Sequence, residues 1–278
     1  MKGYRRMKKY GAVIGIGIWL ILLLFSGCSL QSTKKTEADT KNLPVLVIGS
    51  DNYEPYNYLD EDGNQAGIDV ELAIEACRRM GYAPEFKQIP WDQKNSYLKR
   101  KEVDCLWGSF TMTGREDLYT WAGPYLHSRQ VVAVQRDGTI QSLADLKEKR
   151  VAVQATTKPE DVLLKMEDPR IPNVKEVYSL STMEELYASL RKGYVDAIAG
   201  HESALRTFVE SDPDSYRLLE ESLYVSELGV AFRKGDHEDL AKQLTQTFEE
   251  MKADGFIRKV VQTYGLDAER ALGEQDEK

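Results

Sequence analysis

Cysteine and histidine are scarce in this chain of 278 residues, three of each. Cys28 follows an N-terminal apolar run, which leaves Cys77 and Cys105 for the body. Two thiols in an exported chain can close a disulfide. Equally, Cys77 falls on the apolar face of an expected helix and Cys105 inside an apolar strand, where a free thiol acts as a small hydrophobe. Both readings stay open. His127, His201 and His237 show no ligand spacing with one another or with the cysteines, so neither a metal site nor a cofactor is expected. Paired carboxylates at a catalytic spacing and a separate catalytic domain are lacking too, which argues against an enzyme. Basic excess is missing as well. The formal charge is −8 although the first nine residues hold five cations, so the rest carries −13. An acidic body argues against a nucleic-acid partner.

What is present begins with an export signal. Lys2 to Lys9 is basic, Gly11 to Phe25 is apolar, and small residues lead to Cys28, so residues 1–28 read as a signal peptide. Leu24-Phe25-Ser26-Gly27-Cys28 resembles a bacterial lipobox, whose Cys receives acyl chains such as palmitate and becomes N-terminal after cleavage. Phe25 departs from the aliphatic residue usual there. The alternative is an uncleaved anchor, although the apolar run is short of the roughly 20 residues a span needs. Either way the body is expected at the extracytoplasmic face of the cell membrane. Residues 29–42, polar and charged, read as a tether.

Beyond the tether, strand and helix patterns alternate. Val45 to Ile48 reads as a strand, and Asp69 as the cap of a helix in which Val70, Ala73, Ile74 and Cys77 recur at helical spacing. Glu85 to Ile89 and Val103 to Trp107 are further strands, with a short helix at Tyr97 to Arg100. A second run follows: Gln130 to Val134, Arg150 to Gln154, Val174 to Tyr178 and Val195 to Ala199 are strands. Ser142 caps Leu143 to Lys147, and Thr182 with Glu185 forms a capping box ahead of a helix through Arg191. Leu228 to Phe232 is one more strand. Leu240, Leu244, Phe248 and Met251 share one face of a long helix, and residues from Asp267 on are expected to fray. Such βα alternation implies mostly parallel sheets covered on both faces. Two α/β lobes place their strand ends at a shared cleft, where small ligands bind.

The segment Asp104 to Tyr125 carries the most chemistry. An apolar strand opens into Gly108, Ser109, Thr111, Thr113, Gly114 and Arg115. A guanidinium is a planar fork of donors that matches a carboxylate. The plain alternative is an ion pair of Arg115 with Glu116, Asp117 or another acid. Asp104 and Asp196, each ahead of apolar strand residues, read as structural; Trp107 reads as core. Asp51 and Glu54 are loop acids, either solvated or facing a cationic ligand group.

These landmarks coincide in order with a family. Tyr53-Glu54-Pro55-Tyr56, Gly67-Ile68-Asp69-Val70-Glu71-Leu72, Pro90-Trp91-Asp92, Asp104 through Arg115 with Pro124-Tyr125, Gly193-Tyr194-Val195-Asp196-Ala197 and Met251-Lys252-Ala253-Asp254-Gly255 resemble the family 3 extracellular solute-binding proteins. These are the amino-acid receptors of ABC importers. The resemblance implies a type II periplasmic-binding-protein fold, with lobe one at 43–127 plus 228–278 and lobe two at 129–226. A two-strand hinge joins them. It implies a monomer that hands an amino acid or related zwitterion to an ABC permease. By the same resemblance Arg115 clamps the ligand α-carboxylate, helped by the Thr111 hydroxyl and N–H and by Thr157. Ser109 offers its carbonyl to the α-ammonium, and Tyr53 and Trp91 sandwich the side chain. Where the family has an Asp for the ammonium, this chain has His201 followed by Glu202. Either Glu202 turns inward, or His201 accepts as a neutral imidazole, or the ligand lacks an ordinary α-amino group. Thr113 and Arg115 also stand one residue closer than the family pattern, a deletion Gly114 can absorb. A sensor that contacts a membrane kinase, and a dehydratase or lyase on the same scaffold, are the competing functions.

Overall fold

Two long antiparallel strands run through the molecule and organise the rest, β6 (Tyr119–Gln135) and β11 (Tyr224–Arg233). The computed structural model describes residues 43–166 and 168–274. The expected signal peptide with Cys28, and the tether, lie outside the described residues.

To one side of these strands lie β1 (Val45–Ser50), β4 (Ala83–Gln88) and β5 (Cys105–Leu106), with the small hairpin β2 (Tyr58–Leu59) and β3 (Gln65–Ala66). The helices there are α1 (Ile68–Met80), α2 (Lys94–Arg100), α6 (Glu238–Ala253), α7 (Phe256–Thr263) and α8 (Ala268–Ala271). To the other side lie β7 (Arg150–Gln154), β8 (Glu176–Leu180), β9 (Ala197–His201) and β10 (Tyr216–Leu218) with α3 (Lys158–Lys165), α4 (Met183–Arg191) and α5 (Glu202–Ser211). The continuous sheet has the order β4-β1-β5-β11-β6-β9-β7-β8, with β10 also on β6. Pairs β1–β4, β1–β5, β7–β8 and β7–β9 are parallel, while β6 and β11 are antiparallel to their neighbours. This is the expected α/β architecture of two lobes sharing two crossing strands. The Gln130–Val134 and Leu228–Phe232 strands expected from sequence are parts of these longer crossings.

Each lobe pins its first strand in the same way. Asp104 accepts from Val47 N at 2.8 Å, and Asp196 accepts from Arg150 N at 2.8 Å. Both acids are structural, as read. The largest buried cluster runs from Leu46 and Ile48 through Trp107, Val131 and Phe248 to Leu186 and Ile198. Trp107 is fully buried against Phe248 and Tyr125. Cys77 and Cys105 are buried free thiols.

Two local expectations are corrected. Gly67, not Asp69, stands at the N-cap of α1, with φ +120; a Cβ there would lie 2.2 Å from the Tyr56 carbonyl oxygen, so only glycine fits. Asp69 is drawn inward because it has buried donors to satisfy. Asp267 caps α8 by accepting from Glu269 and Arg270 N–H, and Ala268 and Ala271 bury against the core, so the chain stays ordered to residue 274. Helices α3 and α5 were not read from sequence.

Candidate functional site

The carboxyl ends of β1, β5, β7 and β9 converge on a narrow cavity of about 20 Å³. Tyr53, Trp91, Ser109, Thr111 and Arg115 line it from one lobe, and Thr157 and His201 from the other. Seven of the eight candidate ligand residues are thus brought together. Glu202 is not. It sits at the start of α5 on the opposite side of β9, where Arg129 Nη1 lies 3.3 Å and Arg270 Nη1 3.6 Å away and Arg206 also contacts it. Three guanidiniums hold this carboxylate away from the cleft, so the inward turn considered for Glu202 is not adopted.

The segment after β5 is fixed from within its own lobe. Gly108 packs so closely on Ser50 that a Cβ would come within 3.2 Å of the Ser50 Cβ. Ser109 follows with φ +45. The buried Asp69 carboxylate accepts from Ser109 N at 2.6 Å and from Asn57 Nδ2 at 3.2 Å. Burial pushes that carboxyl up to about 7 despite these donors. Thr111 then pairs with Leu228 on β11, but the ladder bonds leave from its neighbours: Met112 N to Glu227 O, and Gly229 N to Phe110 O. That is the non-hydrogen-bonded type of antiparallel pair, so the ladder does not use the Thr111 N–H. The Thr111 hydroxyl donates to Ser226 Oγ at 3.2 Å.

Arg115 is 8% exposed, with its guanidinium 5.5 Å from the Phe110 ring centre. The ion pair considered as the alternative exists, with neither Glu116 nor Asp117 but with Asp161 of α3, at 2.8 Å across the cleft. Its hydrogen bonds leave from Nη2, to Asp161 and, at 3.4 Å, to Thr156 O. Nε and Nη1 have no hydrogen-bond partner among the described residues.

The opposing segment is held differently. After β7 the chain turns through Thr156, whose φ of +63 is unusual for a β-branched residue. Glu160 accepts from Thr156 N at 2.6 Å, and the Thr157 hydroxyl donates to Gln154 O at 2.6 Å. Gln154 Nε2 reaches over to Asp51 at 2.5 Å. Burial pushes the Asp51 carboxyl up to about 6, against the pull of Gln154. Among the described residues Asp51 is the one carboxylate in the cavity wall.

His201 is buried, and that burial drives its imidazole down to about 3, so it is neutral. Nδ1 lies 2.9 Å from Ser128 Oγ and 3.0 Å from Gln130 Nε2. The Tyr53 hydroxyl accepts from His201 N at 3.2 Å, and the two rings meet edge-on at 5.6 Å. Trp91 stands edge-on to Phe110 at 5.2 Å. Sequence reasoning missed Lys94, Gln154 and Asp161. Each stands among ordinary polar residues locally, and only the fold brings it to the cleft. No cluster of metal-ligating side chains occurs among the described residues.

Similarity to known proteins agrees with this geometry. The chain is 29% identical over 234 residues to the L-cystine-binding protein TcyJ of Escherichia coli K12, covering 82% of this chain and 85% of that one. It is 31% identical to the histidine-binding periplasmic protein of Salmonella typhimurium over 234 residues, 79% of this chain and 86% of that one. Among solved structures, an ancestral arginine-binding protein bound to arginine superposes with a TM-score of 0.72 at 27% identity, covering 79% of this chain and 97% of that one. Tv2483 bound to L-arginine gives 0.75 at 26% identity, with 84% and 95% covered. The named relatives are amino-acid-binding proteins. Residues 45–267 match the model for bacterial extracellular solute-binding proteins, family 3, and the chain belongs to that family.

Proposed function

We propose that this receptor captures an amino acid, with its α-carboxylate on Arg115, and delivers it to an ABC permease from a lipid anchor at Cys28. The observation that carries the reading is the buried Arg115 in the cavity wall, with Nε and Nη1 left over after Asp161 has taken Nη2. A zwitterion loses hydration in such a cleft, so each of its charges needs a partner there. Arg115 serves the carboxylate with the Thr111 N–H and with Thr157. Asp51 serves a cationic group, because His201 is neutral and Glu202 points away. The Ser109 carbonyl assists, and Tyr53 and Trp91 flank the side chain. Lobe one is taken as 43–127 plus 228–278, lobe two as 129–226, in a monomer. Cystine, histidine and arginine, the ligands in the relatives' names, are the first to test. A charge-assisted hydrogen bond contributes roughly 1.5–3 kcal/mol, so Arg115→Ala lowers affinity at least about tenfold. Thermal shift with each amino acid, on the wild type and Arg115→Ala, reads this out by mass action. An undiminished shift in the variant removes the assignment.

A further inference from the structure

Lys94 has no part in the reading above, and it is a buried cation held by aromatic faces and neutral oxygen acceptors. It is 3% exposed, beneath the aromatic wall of the cavity, with Nζ 4.9 Å from the Trp91 ring centre and 5.6 Å from that of Phe110. It opens α2, where the helix dipole disfavours positive charge. Its Nζ donates to Trp91 O at 3.3 Å, and across the cleft to Thr156 O at 3.3 Å and Thr156 Oγ1 at 2.5 Å. Arg115 Nη2 approaches that same Thr156 carbonyl at 3.4 Å. Two buried cations therefore converge on one carbonyl oxygen, and among the described residues Lys94 makes no ion pair. Buried lysines are ordinarily paired with an acid. Ring faces and neutral oxygens hold this cation without an ion-paired acid, so its charge stays available to an arriving anion.

We propose that Lys94, behind the wall that Arg115 and Lys158 line, is a specificity-determining residue that joins Arg115 in selecting a ligand with an anionic group. This rests on the carboxylate reading of Arg115. Lys94 acts through space from behind Trp91 and Phe110, and the arriving carboxylate supplies the counter-charge it lacks. The charged groups around it are Arg115, Asp51, Glu160 and Asp92, and beyond the guanidinium Asp161. Burial, and then Arg115, bring the ammonium down to about 8. An anion beside it raises that value again, so ligand docking near pH 8 draws a proton onto Nζ. Affinity correspondingly falls as pH rises through 8.

The test is calorimetric titration of the full chain with L-cystine, L-histidine and L-arginine near pH 8, in buffers of different ionisation enthalpy, for the wild type, Lys94→Met, Lys94→Arg and Arg115→Ala. The wild type is expected to take up more protons per ligand than Lys94→Met. That variant should bind about tenfold more weakly near pH 7, with the gap closing at higher pH. Lys94→Arg keeps the charge, so it retains affinity but loses the extra uptake, which a merely structural lysine would not show. Wild-type affinity and proton uptake in Lys94→Met, with binding lost in Arg115→Ala, overturns this inference alone. Binding that survives Arg115→Ala, or absent in the wild type for all three amino acids, overturns the carboxylate reading and this inference with it.

Discussion

Two segments face each other across the cleft, Gly108–Arg115 after β5 and Gln154–Asp161 after β7, and they are held in opposite ways. The first is fixed by its own lobe: a close approach of Gly108 to Ser50, the Asp69 carboxylate on Ser109 N, and the Thr111 pairing with β11. The second has local bonds from Glu160 and Thr157, but much of its hold comes from the other lobe. Lys94 binds Thr156, Arg115 binds Asp161, and Asp51 binds Gln154. One wall is preorganised; the other is shaped where the walls meet.

The hold on the first segment is most vulnerable at Asp69. Removing its carboxylate leaves Ser109 N and Asn57 Nδ2 without their buried acceptor, so Asp69→Ala should lower unfolding free energy by about 1–3 kcal/mol for each group stranded. Urea denaturation checks this without any ligand. A loss below about 0.5 kcal/mol, ordinary for a surface change, would mean that the first segment is not held from within.

Next comes acid. A cationic ligand group needs Asp51 ionised, and its carboxyl titrates at about 6. Affinity for L-arginine should hold above that value and fall by up to about tenfold between pH 6 and pH 5 as the carboxyl protonates. A flat profile over that interval would remove Asp51 from the site.

The smallest effect belongs to Asp161. It is one-third exposed, so solvent screens it, and it leaves a like charge beside an incoming carboxylate. Asp161→Asn should tighten amino-acid binding by no more than about fivefold, the range of a partly exposed pair. Weakening beyond tenfold would show instead that Asp161 aims the guanidinium.

Much of the architecture was legible because it rests on local pattern. Strand ends, the Ser142 and Thr182–Glu185 boxes, and the glycine-rich turn before Arg115 all carry their cause in neighbouring residues. Helix α3 escaped because it is only eight residues long, with a charged opening turn and a stripe of just Pro159, Val162 and Leu163. Lys94 escaped for a different reason. Three residues past Trp91 it looks like any solvated lysine, and its burial is decided by Phe110 and by Thr156, 62 positions away. The acid that pairs with Arg115 stands 46 positions on, in the other lobe, where local pattern does not reach.

A ligand carboxylate seated at Arg115 is the centre of the proposed binding mode. Calorimetry comparing each amino acid with its counterpart lacking that group (histidine with histamine, arginine with agmatine, cystine with cystamine) tests it most directly. The prediction is that at least one amino acid binds while its decarboxylated partner binds at least about tenfold more weakly, the loss of one charge-assisted contact. Equal affinity within each pair would contradict it.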